Sequence, residues 1–171
     1  IDAKLSIIII LICLVLSGYF SATETALSTF NKTKIKTSAE KGNKQAQKVL
    51  DISEKYDRML STILIGNNVV NILSASLATL LFVRWINETT GPSVSTLVMT
   101  VIVLIFGEIT PKTLAKERPE AFSMFSVSLL NFLMVILAPL TYILKKWQDT
   151  VSKVFKAKDL LPYFFSPKSL K

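Results

Sequence analysis

Four long apolar stretches alternate with polar ones along this chain. The first has its core at Leu5–Leu16 and continues through Ser17-Gly18-Tyr19-Phe20-Ser21-Ala22-Thr23-Glu24-Thr25-Ala26 to Phe30. Met59–Val83 carries no charge, and neither do Val94–Phe106 and Ala121–Leu144. A helix needs about 20 apolar residues to cross a bilayer. The pattern therefore predicts transmembrane helices over about 5–30, 59–83 and 93–111. The alternative for the first is a signal peptide that starts at Lys4, but its small polar residues lead into further apolar ones. Residues 31–58 are polar, and Gly42 divides them into two short helical pieces, expected to lie on the cytoplasmic surface as helices within 32–58. Gly91-Pro92 turns the short loop 84–92. The segment 121–144 carries Ser123, Ser126, Ser128 and Asn131 early and Pro139 late, which suits a re-entrant or juxtamembrane helical hairpin over about 121–156.

Charge fixes the orientation that the hydropathy pattern leaves open. Loop 31–58 holds eight Lys/Arg against four Asp/Glu, and the tail 145–171 holds seven lysines against two aspartates. Basic segments stay inside, so both are expected in the cytoplasm, with the N-terminus and the neutral loop 84–92 outside. Four full crossings would put the tail outside, hence three crossings and a non-crossing 121–144. The expected class is an all-α, multi-pass cell-membrane protein with three transmembrane helices plus juxtamembrane or re-entrant helices. The net charge of +8 sits in loops beside apolar spans, a distribution that meets membrane lipids rather than nucleic acid. The mean hydropathy of +0.47 agrees. With no histidine and one cysteine, Cys13, in an apolar run, soft-metal sites and disulfides are not expected. No acid–base pair suggests an enzyme.

The candidate chemistry is oxygen ligation of a hard cation. Gly107-Glu108-Ile109-Thr110-Pro111-Lys112 puts a carboxylate and a proline at the end of the third apolar run, and a charge inside a membrane marks function. Pro111 has no N–H for the carbonyl four residues back, that of Gly107, so a helix break at Pro111 is expected to shape the site. Ser17, Ser21, Thr25 and Ser28 share one face of the first span, with Ser17 and Ser28 expected to serve packing. Asn67, Asn71, Ser74 and Ala78 share a face of the second. With the predicted orientation, Ser21, Asn67 and Glu108 all fall in the inner half of the bilayer. A hydroxyl, an amide oxygen, a carboxylate and the Gly107 carbonyl would form an all-oxygen site that suits Mg2+, and also Na+. The competing reading is a polar network that only joins helices. Glu24, a turn after Ser21, is expected as an interfacial carboxylate, with a Na+ site or the cavity mouth as its functional alternative.

Three motifs carry a resemblance: Phe20-Ser21-Ala22-Thr23-Glu24-Thr25-Ala26-Leu27, Leu64-Ile65-Gly66-Asn67-Asn68-Val69-Val70-Asn71, and Gly107-Glu108-Ile109-Thr110-Pro111-Lys112. In order and placement they resemble the membrane domain of the cyclin M (CNNM)/CorB/CorC magnesium transporters over essentially the whole chain. The resemblance implies a homodimer that moves Mg2+, with Na+ entry as the drive for export by alternating access. It implies Mg2+ ligands at Ser21, Asn67, Asn71 and Glu108, and no role is carried to Asn68. It also implies cytoplasmic CBS modules that bind nucleotide in the full-length protein, none of which falls in these residues. A membrane-embedded Mg2+ sensor that signals to such modules without carrying ions is the alternative function.

Overall fold

The computed structural model describes residues 2–154. The expected re-entrant segment 121–156 and the basic tail 145–171 therefore lie partly outside the described residues. Every regular element among those described is helical: α1 Ala3–Thr29, α2 Lys32–Glu40, α3 Lys44–Ser53, α4 Tyr56–Trp85, α5 Gly91–Ile102, a π-helical segment Val103–Ile109, α6 Thr110–Glu117, α7 Pro119–Ile136 and α8 Ala138–Val154. The chain is an all-α membrane protein. By length and composition four helices could cross a bilayer: α1, α4, the continuous run Gly91–Glu117, and α7. The three expected spans are thus present, and α7 is a fourth candidate.

Local chemistry explains the element ends. The side chain of Asn31 caps α2 by accepting from the Lys34 N–H (3.1 Å). Asn43 caps α3 by accepting from the Gln45 and Ala46 N–H groups (2.9 and 3.2 Å). An asparagine at this position satisfies amide donors that the helix start leaves open. Between these helices Gly42 takes φ +90°, a conformation that costs other residues a steric penalty. The sequence places this division correctly.

α1 is the hub: it packs against α4, the π segment, α6 and α7. On α6, Ala115 meets Ala22 and Ala26 of α1, with Phe122 of α7 beside them. Small residues let membrane helices approach closely in this way. A larger cluster joins Phe20 and Leu27 of α1, Ala46, Val49 and Ile52 of α3, Ile63 of α4 and Val127, Leu130 and Met134 of α7. The amphipathic α3 thus lays its apolar face along α7. Polar contacts follow the same seam: Lys48 Nζ donates to Ser128 Oγ (3.2 Å), which donates to Gln45 Oε1 (2.9 Å).

Both ends of α7 are tied to residues that flank the polar segment 31–58. At its start, Glu120 Oε1 accepts from the Asn31 backbone N–H (3.1 Å) and pairs with Lys34 (3.7 Å). Near its end, Arg58 Nη2 donates to the Met134 carbonyl (3.1 Å). Asn31 follows α1 and Arg58 begins α4.

The third run differs from expectation at Pro111. The helix does not break there and continues to Glu117. Instead the preceding seven residues widen into a π-helix, in which the Thr110 N–H reaches the carbonyl of Ile105, five residues back. In that register the carbonyl that Pro111 fails to serve is Phe106 rather than Gly107. Packing sets this geometry: a Cβ on Gly18 would lie 3.1 Å from Pro111 Cγ and 3.3 Å from the Phe106 carbonyl oxygen.

Candidate functional site

Polar groups of α1 and α4 meet where the π segment packs against α1. Ser17 Oγ of α1 donates to Asn67 Oδ1 of α4 (2.9 Å). Asn71 Nδ2, one turn further along α4, donates to the same oxygen (3.4 Å). The π segment comes in from the other side of Ser17: a Cβ added to Gly107 would lie 2.8 Å from Ser17 Oγ. Glu108 follows Gly107 and is half-buried. Asn67 and Asn71 therefore share a face, as their spacing predicts, while Asn68 turns away to its own Leu64 carbonyl (2.9 Å).

The hydroxyl that bonds Asn67 is Ser17, which the sequence reading assigned to packing. Ser21 lies one turn along the same helix, 1% exposed, and its Oγ has no hydrogen-bond partner among the described residues. A buried hydroxyl without a partner carries a desolvation cost, so Ser21 remains an oxygen available to a ligand. The i, i+4 spacing from Ser17 to Ser21 was the signal for both. It does not say which of the two faces the amide. Ser28, at the end of the same face, is exposed and meets Tyr56 Oη (3.5 Å).

Two cavities flank the cluster. One, of ≈ 340 Å³, is lined by Glu24, Asp57, Ser61 and Asn67 and extends along the first turns of α4. The other, of ≈ 300 Å³, is lined by Asn71, Thr79, Ser95, Thr96 and Thr100 and extends toward the start of α5. Asn67 and Asn71 each wall one cavity, so the Ser17–Asn67–Asn71 contacts close the space between them. Glu24 stands at the first cavity, and its carboxylate pairs with Lys112 of the third motif at 3.5 Å.

Among the described residues no three His, Cys, Asp or Glu side chains gather as a metal-binding group. The central cluster offers the neutral oxygens of Ser17, Asn67 and Asn71, and Glu108 follows Gly107 in the chain. Hard cations such as Mg2+ accept that donor set and retain water where protein ligands are few.

A family model described as the cyclin M transmembrane N-terminal domain matches residues 8–171. A UPF0053 protein of Haemophilus influenzae is 39% identical over 151 residues, 88% of this chain and 36% of its own length. The UPF0053 inner membrane protein YfjD of Escherichia coli is 40% identical over 129 residues, 75% of this chain and 30% of its own. A polyamine export protein of Escherichia coli is 26% identical over 163 residues, 88% of this chain and 36% of its own. The chain thus spans about a third of the length of these relatives.

Proposed function

Because the chain belongs to the cyclin M (CNNM) transmembrane-domain family, we propose that it is the membrane part of a Mg2+ transporter working by alternating access, with Na+ entry as the drive. The observation that carries the reading is the Ser17–Asn67–Asn71 cluster, set against Gly107 and standing between two cavities. Mg2+ enters the first cavity from the cytoplasm past Glu24 and Asp57. It exchanges part of its water for Ser21, Asn67, Asn71, Glu108 and a backbone carbonyl of the π segment, with Ser17 as an added hydroxyl. Asn67 Oδ1 now holds two protein donors, and a cation arriving there replaces both. Separating α1 from α4 at Asn67 then joins the ion to the second cavity. Irregular backbone at membrane depth is tolerated where it lines such a cavity.

In this reading α7 lies in the membrane plane on the cytoplasmic side, since both its ends hold residues that flank 31–58. The C-terminus is then cytoplasmic and the N-terminus outside. The working unit is a homodimer, and its cytoplasmic CBS modules lie in the rest of the full-length protein.

Sustained Mg2+ flux in proteoliposomes, read by an internal Mg2+-sensitive dye, tests the proposal. Flux that responds to a Na+ gradient and is lost in Glu108→Ala supports it. Binding without flux would favour a sensor. A second substrate class has its own observation: Glu24 and Asp57 put two carboxylates on one cavity, which suits an elongated polyamine as well as a metal ion. Transport of labelled putrescine in place of Mg2+ would select that reading.

A further inference from the structure

The largest cavity described, ≈ 580 Å³, adjoins the proposed ion entrance. It lies between the first turns of α4 and α8 and is lined by Asp57, Arg58, Ser61, Pro139, Tyr142, Lys145 and Asp149 among others. Two cations and two carboxylates face a wall of Ala138, Pro139 and the Tyr142 ring. An adjoining cavity of ≈ 490 Å³ adds Lys55 and Glu54 and shares Asp57, Arg58 and Lys145. The combined charge is balanced, three cations against three carboxylates.

Its place is the membrane boundary. Arg58 is in the first turn of a candidate span, and its guanidinium is held to the Met134 carbonyl at the end of α7. Next to it the outer faces of α7 and α8 expose Val135, Ile136, Tyr142 and Ile143. Apolar surface there meets acyl chains, while the paired charges meet a headgroup.

We propose that this cavity binds the headgroup of a zwitterionic phospholipid that carries a primary ammonium, the phosphatidylethanolamine class. Arg58 and Lys145 take the phosphate, and Asp57 and Asp149 take the ammonium. A purely anionic headgroup satisfies the cations and leaves the carboxylates facing negative charge. A quaternary ammonium cannot donate the hydrogen bonds that the carboxylates accept. Asp57 and Ser61 also line the cavity that leads to Asn67, so the bound headgroup stands beside the cytoplasmic ion entrance.

Native mass spectrometry of the purified protein, titrated with phosphatidylethanolamine, phosphatidylcholine and phosphatidylglycerol, tests the assignment without any transport readout. Phosphatidylethanolamine is expected to bind about tenfold more tightly than either of the others, the worth of one charge-assisted hydrogen bond. Lys145→Gln is expected to weaken binding of all three lipids, which share the phosphate, and to keep their order. Asp149→Asn is expected to reverse it toward phosphatidylglycerol, a change of preference that simple misfolding does not produce. Equal binding of the three lipids, or an unaltered order in Asp149→Asn, overturns the proposal. Soluble glycerophosphoethanolamine binding as tightly as the lipid would make this a free phosphate-ester site and also overturn it.

Discussion

At the scale of single residues, the contact between Ser17 and Gly107 is the most constrained point of the site. A methyl group at 107 would meet Ser17 Oγ at 2.8 Å but Ser17 Cβ at an ordinary 3.4 Å. Gly107→Ala is therefore expected to lower thermal stability, and adding Ser17→Ala to recover much of the loss. Such a coupling between touching residues is worth about 0.5–3 kcal/mol, and a double-mutant cycle by thermal unfolding reads it. Ser17→Ala alone removes a hydroxyl ligand of the proposed site and is expected to weaken Mg2+ binding by calorimetry, where the exposed Ser28→Ala does not. Glu108→Ala, which takes away the carboxylate, is expected to weaken binding about tenfold or more with the fold retained. That Asn67 and Asn71 share a polar face was legible from their spacing, because amides in an apolar run need partners. The spacing did not tell that Ser17 rather than Ser21 bonds Asn67, because hydroxyls one turn apart differ only in a rotation of α1 that distant packing decides.

At the scale of elements, the spans were legible for a plain reason: charge-free runs of that length have few alternatives. The division of 31–58 into two helices was legible from Gly42, and asparagine caps start both. The π segment was not. Proline in a helical run predicts a lost hydrogen bond, and the sequence alone treats that loss as a break. Here Gly18 on α1 admits the Pro111 ring, and Phe122, Ala22 and Ala26 seat Ala115. The helix is therefore held on both sides of the proline and widens instead of ending. Pro111→Ala restores an N–H donor. It is expected to slow hydrogen exchange across 106–112 while weakening Mg2+ binding, measured by exchange mass spectrometry and calorimetry on the same sample. The Glu24–Lys112 pair bridges the same elements, but both side chains are over 40% exposed, and exposed pairs contribute little to stability. Lys112→Gln should leave the melting temperature nearly unchanged.

At the scale of the whole molecule, the arrangement of α7 decides the topology. Four candidate spans and a basic tail conflict under the positive-inside rule unless one does not cross. The contacts of Glu120 with Asn31 and of Arg58 with Met134 supply a reason to choose α7. With Cys13 replaced by alanine, a cysteine at Ser128 and one at Asn43 are both expected to react with an impermeant maleimide from the cytoplasmic side only. A cysteine at Asn87 is expected to react from the opposite side. Ser128→Cys labelled from outside would require α7 to cross and the tail to be reassigned.

The π segment has a further meaning in terms of chain length. A stretch of seven π residues inside an α-helix is what results when one residue more than the α repeat requires is fitted between flanks that keep their places. Between Ile102 and Thr110 the third span thus carries a surplus of one. Deleting a single exposed residue there, such as Ile105, is expected to give an ordinary helix whose two halves still dock as before on α1 and α4. The protein would insert and melt much as it does now, and the widened turn at Gly107 would be gone. Loss of ion binding in an otherwise intact deletion variant would show that one extra peptide unit separates a plain membrane anchor from a working site.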